Sequence, residues 1–68
     1  MLKISLKAAR TNIGLTQKEV AEKLEVSNGT VCNWENGVSY PNAEQIEKIC
    51  ALYGLSYDSI NFLPDNSL

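Results

Sequence analysis

Apolar residues recur along this chain at three- and four-residue intervals, in runs that open at a small polar residue and mostly close at a glycine. That pattern describes short amphipathic helices joined by tight turns. Leu6, Ala9 and Ile13 form the first stripe, Val20, Ala21 and Leu24 the second, and Val31 and Trp34 the third. Ile46, Ile49, Cys50 and Tyr53 form the fourth, and Ile60 and Leu63 the last. Thr16, Ser27 and Ser56 each have an apolar residue just before them and another four positions on: Leu15 and Val20, Val26 and Val31, Leu55 and Ile60. This is the hydrophobic staple that fixes how a chain enters a helix. Each hydroxyl would accept a hydrogen bond from a first-turn N–H that has no partner inside the helix. Thr16 with Glu19 and Asn42 with Gln45 also have the spacing of the reciprocal capping box. Gly14, Gly37 and Gly54 follow the first, third and fourth runs, where a left-handed residue ends a helix. The pattern predicts helices over 5–13, 17–24, 28–36, 43–53 and 57–63. The expected architecture is all-α, a compact five-helix domain over 1–63 followed by a polar tail at 64–68.

The second and third of these helices are separated only by Glu25, Val26 and Ser27. So short a connection makes them cross steeply, as in a helix-turn-helix. Ala21 suits that geometry, since a small side chain lets the two helices approach closely. Leu24, Val26, Val31 and Trp34 can then close an apolar seam behind them. The outer face of the third helix is left with Asn28, Gly29, Thr30 and Asn33. These residues are short, uncharged and, glycine aside, rich in donors and acceptors, whereas an ordinary solvated face favours Lys and Glu. A β-hairpin turning at Asn28-Gly29 is the competing reading, because Asn-Gly is a strong hairpin signal. The staple at Ser27, the capped helix just before it and the lack of a third strand to cover the pair favour helix.

Composition narrows the chemistry. The 68 residues include six Lys or Arg, eight Asp or Glu and no His, a formal net charge of −2. Without histidine there is no Ser-His-Asp triad, no Cys-His pair and no mixed Cys/His zinc cage. The two cysteines, Cys32 and Cys50, stand eighteen positions apart and match no zinc spacing, so they read as small buried hydrophobes. Neither catalysis nor a cofactor or metal is expected. Lys3 and Lys7 interrupt what would have to be the apolar part of a secretory signal, and no stretch of about 20 apolar residues could span a membrane. A cytoplasmic protein is expected, in a bacterial cytosol or a phage-infected cell.

The run Thr16-Gln17-Lys18-Glu19-Val20-Ala21, continuing through Ser27-Asn28-Gly29-Thr30-Val31-Cys32-Asn33-Trp34-Glu35-Asn36-Gly37, resembles the Cro/C1-type helix-turn-helix family of phage and bacterial repressors. Pro41 and Leu52-Tyr53-Gly54-Leu55-Ser56 extend the resemblance over nearly the whole chain. It implies a lambda-repressor-like fold, with the third helix in the DNA major groove and the second crossing the backbone. On that footing Asn28 and Asn33 would read bases, since an Asn amide pairs bidentately with adenine, and Thr30 would offer its methyl to thymine or its hydroxyl to a phosphate. Gly29 stands where family members often carry a base-reading side chain. Gln17, Lys18, Ser27, Asn36, Tyr40 and Asn42 become candidates for backbone phosphates. The resemblance also implies an Arg10–Glu35 ion pair tying the first helix to the end of the third. It further implies a non-glycine residue, Glu25, at a turn position that the family usually gives to glycine. The last helix, through Tyr57, Ile60, Phe62 and Leu63, is the candidate homodimer contact.

Charge complicates this assignment, because DNA-binding surfaces are usually basic. Residues 1–23 hold five cationic and two acidic side chains (net +3), and residues 24–68 hold one cationic and six acidic (net −5). The leading expectation is a non-enzymatic, sequence-specific regulator, a repressor bound as a homodimer to a two-fold operator in double-stranded DNA. Neither a membrane nor a small-molecule substrate is expected as a partner. The alternative is a protein-interaction or antitoxin-like module that uses the same fold.

Overall fold

A computed structural model describes residues 3–62. The order of elements is β1 (Ile4–Ser5), α1 (Leu6–Asn12), α2 (Gln17–Leu24), α3 (Asn28–Asn36), α4 (Ala43–Tyr53), a single 3₁₀ turn (Tyr57–Ser59) and β2 (Ile60–Asn61). Four helices therefore stand where the pattern placed them, and cap chemistry fixes their starts. The Thr16 hydroxyl accepts from the Glu19 N–H at 3.1 Å while the Glu19 carboxylate accepts from the Thr16 N–H at 2.8 Å. Asn42 and Gln45 form the same box, both bonds at 2.8 Å. Ser27 caps α3 by accepting from the Thr30 N–H at 3.2 Å, and Ser5 caps α1 by accepting from the Ala8 N–H at 3.0 Å.

The core consists of Leu6, Ala9, Val20, Ala21, Leu24, Val31, Trp34, Ile49, Tyr53, Ile60 and Phe62. The staple residues Leu15, Val26 and Leu55 pack against it from the helix entries. One residue assigned to the interior departs from its stripe. Ile13 lies at the end of α1, is 42% exposed, and leaves the inner face because the helix stops at Asn12.

The fifth helix is the main correction. Only one 3₁₀ turn follows Ser56, whose side chain makes no cap bond, and at Ile60 the backbone becomes extended (φ −113°, ψ 133°). Ile60 then pairs in parallel with Ile4, and Asn61 with Ser5. Ile60 and Phe62, two residues apart, are both buried, as the strand period of two requires. A seven-residue helix has little stability of its own, and here burying Ile60 and Phe62 on one side of an extended segment prevails. Leu63 and the tail at 64–68 lie outside the described residues.

Candidate nucleic-acid interface

The turn between α2 and α3 is built by hydrogen bonds that end one helix and start the next. The Val26 N–H donates to the Ala21 carbonyl at 2.9 Å and the Glu25 N–H to the Glu22 carbonyl at 3.3 Å. This is the Schellman arrangement, which requires a left-handed residue at the point where the helix ends. Glu25 fills that place with φ 60° and ψ 43°, and among the described residues no other non-glycine has positive φ. At the far end of α3 the same arrangement recurs around Gly37 at φ 77°, with the Val38 N–H donating to the Asn33 carbonyl at 2.9 Å.

Helix α3 presents Gly29, Asn33 and Asn36 along one stripe, since residues three and four apart share a helix face. Asn28 and Thr30 flank it. Asn28, Gly29, Asn33 and Asn36 are exposed and Thr30 is half-buried. Among the described residues the side chains of Asn28 and Asn33 have no hydrogen-bond partner. The Thr30 and Ser27 hydroxyls are bonded to each other at 2.8 Å, which commits both to the cap and leaves the Thr30 methyl as its contacting group. The Asn36 amide donates to the Cys32 sulfur at 3.3 Å, one turn back.

At the start of α2 the capping box satisfies the N–H groups of Thr16 and Glu19. The first-turn N–H groups of Gln17 and Lys18 remain open, as every helix start leaves some donors without internal partners. The Gln17 side chain, in contrast, turns inward: its amide donates to a Glu35 carboxylate oxygen at 3.0 Å. An anion at this helix start would meet backbone N–H groups and the exposed Lys18, with the Gln17 amide nitrogen already committed. Of the candidates in the following loop, Tyr40 is 46% exposed, and Asn42 uses its side-chain oxygen in the α4 cap.

Behind this face, Arg10 and Glu35 meet as a bidentate pair. Arg10 Nε lies 2.6 Å from Glu35 Oε2 and Nη2 lies 3.2 Å from Oε1. The third guanidinium nitrogen donates to the Leu15 carbonyl at 2.9 Å. The side chains are only 10% and 4% exposed, so this is an internal ion pair joining α1, the α1–α2 loop, α2 and α3. The hydrogen bond to Glu35 raises the Arg10 pKa. Tyr53 packs beside the pair, and burial pushes its phenol up to about 12. Sequence reasoning anticipated the pair through family resemblance alone. It missed the Gln17 and Leu15 contacts, which carry no pattern of their own.

Of the four residues assigned to a dimer contact, the three that are described do not share an exposed surface. Ile60 is 1% exposed and Phe62 4%, both inside the core, because β2 replaces the fifth helix. Tyr57 remains outside at 52% exposure and stacks on Phe62, with ring centroids 5.4 Å apart. Leu63 is outside the described residues.

Two short helices crossing through a left-handed turn, with an unpartnered polar face on the second, match a family model described as helix-turn-helix over residues 6–60. The chain belongs to the Cro/C1-type helix-turn-helix family. It is 42% identical over 53 residues to the HTH-type transcriptional regulator ImmR of Bacillus subtilis, covering 78% of this chain and 42% of that protein. It is 36% identical over 55 residues to the HTH-type transcriptional activator BcrR of Enterococcus faecalis, covering 81% of this chain and 27% of that protein. The chain thus spans less than half the length of either relative. In this helix-turn-helix chain no helix among the described residues is long and apolar enough to cross a membrane.

Proposed function

We propose that this chain is a sequence-specific double-stranded DNA-binding regulator of transcription that inserts α3 into the major groove. The observation that carries the reading is the pair of exposed, unpartnered amides, Asn28 and Asn33, on the first two turns of α3. An amide that finds no partner in its own protein and lies on a helix start can pair with adenine N6 and N7 at a base edge. The open N–H groups of Gln17 and Lys18 supply a phosphate anchor at the start of the crossing helix. Gly29 and Thr30 complete the reading face, the first by close approach and the second by its methyl group. Ser27, Asn36 and Asn42 lie close enough in sequence to that face to border the backbone. The names of both relatives, a transcriptional regulator and a transcriptional activator, support the same reading.

Binding as a homodimer to a two-fold operator is part of the proposal. A chain of net charge −2 has little counterion release to draw on, and two half-sites read together supply the missing affinity. The exposed ring of Tyr57 is what remains of the candidate contact. Repression is the outcome proposed, since it needs only occupancy of a promoter.

The test is a selection of bound duplexes from a random library, followed by binding of the enriched duplex to Asn28→Ala/Asn33→Ala. Each bidentate amide contact is worth about 1–3 kcal/mol, so the double variant loses roughly 30-fold to 20,000-fold in affinity with an unchanged circular dichroism spectrum. Retained binding by a folded double variant overturns the mechanism. A folded wild type that enriches no duplex overturns the function in favour of a protein-interaction module.

A further inference from the structure

The pairing of β1 with β2 has a consequence at its N-terminal edge. Because Ile4 pairs with Ile60, Lys3 is carried to the same end of the fold as the loop between α3 and α4. There Lys3, Tyr40, Tyr57, Ile60, Asn61 and Phe62 line a cleft of about 110 Å³. Its floor is apolar and fixed, since Ile60 and Phe62 are core residues. Its rim is made of donors. The Tyr40 and Tyr57 rings both pack on Phe62, edge-on at 6.3 Å and stacked at 5.4 Å. Lys3 is exposed and, among the described residues, has no ion-pair partner.

A lysine and two tyrosines lining one cleft over buried apolar residues supply the donors that recognise a singly charged oxyanion. Asp58, next to Tyr57 in the chain, does not line the cleft. The volume excludes a drug-sized organic ligand, whose pockets run to about 300–1,000 Å³. It exceeds the ~30 Å³ share of one water and so admits a small tetrahedral group.

Location selects the source of that group. The cleft opens on the loop that leaves the C-terminal end of α3, three residues past Gly37. At about 1.5 Å per residue the nine residues of α3 extend some 13.5 Å. The major groove is about 12 Å wide, so a helix entering it by its N-terminal end delivers its far loop to the groove wall, where the phosphates lie. Resting on the DNA-binding reading above, we propose that Lys3 and the Tyr40 hydroxyl, whose ring packs with that of Tyr57 on Phe62, bind one phosphate of the DNA backbone beyond the recognition helix. Lys3 thereby contributes one of the few counterion-releasing contacts available to an acidic chain.

The experiment is the salt dependence of binding to the enriched duplex for wild type, Lys3→Met and Tyr57→Phe, with Lys48→Met on α4 as the control. Each phosphate neutralised contributes about 0.9 to the slope of log K against log[salt]. Lys3→Met is expected to flatten the slope by about 0.9 per bound protomer, whereas Lys48→Met leaves it unchanged. Tyr57→Phe keeps the slope and weakens binding severalfold, because the stack on Phe62 survives while one of the two phenol donors lining the cleft is lost. A titration with inorganic phosphate, read by amide chemical shifts at Lys3, Tyr40 and Tyr57, separates the two sources of the anion. Shifts that the duplex competes away support the DNA assignment. Shifts with an unaltered Lys3→Met slope place a free phosphate in the cleft and overturn it, as does an unaltered slope without shifts. In each of those cases wild-type binding to the duplex persists, which distinguishes this failure from failure of the DNA-binding reading itself.

Discussion

The two ends of α3 use polar side chains in opposite ways. At the C-terminal end Glu35 is 4% exposed and accepts three hydrogen bonds, two from Arg10 and one from Gln17. Toward the N-terminal end Asn28 and Asn33 are exposed, and their side chains have no hydrogen-bond partner among the described residues. One helix thus carries a closed polar network that fixes its position and an open one that leaves its donors and acceptors for a partner. Satisfied buried polarity specifies architecture. Unsatisfied exposed polarity is where recognition chemistry is to be sought.

The sharpest way to break the comparison is to open the closed end. Glu35→Leu leaves the Arg10 charge buried without its partner, which costs about 3–5 kcal/mol. At about 0.05–0.15 kcal/mol per residue, a domain of this size has a total stability of the same order, so this variant is expected to be largely unfolded at room temperature. Replacing the pair together, Arg10→Met with Glu35→Leu, removes the stranded charge and should regain most of the loss. Urea denaturation of both variants checks this. A double variant no more stable than the single one would mean that geometry, and not charge burial, sets the cost.

The closed end also predicts a response to pH. Burial holds the Tyr53 phenol neutral in the folded state, with its pKa raised from 10.0 to about 12, and the Glu35 charge adds to the shift. The protonated form is favoured by folding, so this contribution is complete below pH 10 and disappears as pH rises through about 12. Thermal melts across that window should fall more steeply for wild type than for Tyr53→Phe, which has no proton to lose. Equal slopes would show that the phenol is not desolvated. The open end has no titrating side chain on its reading face, so the predicted pH response belongs to stability.

How much of this was legible in the sequence depends on the range of the interactions. Cap boxes, staples and glycine stops act over four or five residues, so Thr16, Ser27, Asn42 and Gly37 announced their helices directly. The pairing of Ile4 with Ile60 joins segments at opposite ends of the chain. Alternation over Leu2, Ile4 and Leu6 was the only local sign of β1. Residues 57–63 were read as a helix because Ser56 has a staple, yet Ile60 and Phe62 also satisfy a strand period, and tertiary burial chose between the two. The exposed uncharged face of α3 was legible through the absence of Lys and Glu from it. The inward turn of Gln17 was not, since nothing near it in sequence indicates that Glu35 lies within reach.

The open end can be sharpened at Gly29. A Cβ built there comes no closer than 4.0 Å to the Ser27 hydroxyl, so alanine fits the free protein without strain. Within a helix the change should stabilise by about 0.5–1 kcal/mol, visible as a raised melting temperature. Its effect on DNA affinity then divides two roles for the glycine. Weakened binding by a more stable protein means that the α3 backbone approaches the bases closely at this point. Unchanged binding means that position 29 reads nothing.

The smallest expected effect lies in the turn between the two helices, at Glu25. All four helices end in a left-handed residue or lead into one, and three of those positions are glycine while the fourth is Glu25 at φ 60°. A side chain with a Cβ in that conformation costs about 1–2 kcal/mol relative to the ordinary helical region. Glu25→Gly relieves this and gives back part of it through the greater freedom of glycine in the unfolded chain. A net gain of roughly 0.5–1 kcal/mol is expected, which for a domain of this size raises the melting temperature by a few degrees. The turn geometry, set by the Val26–Ala21 and Glu25–Glu22 hydrogen bonds, needs no side chain at position 25, so DNA affinity should not change. A variant that melts higher but binds more weakly would show that the strained glutamate stiffens the crossing of α2 and α3, and that the open end depends on the turn as much as the closed end depends on Arg10.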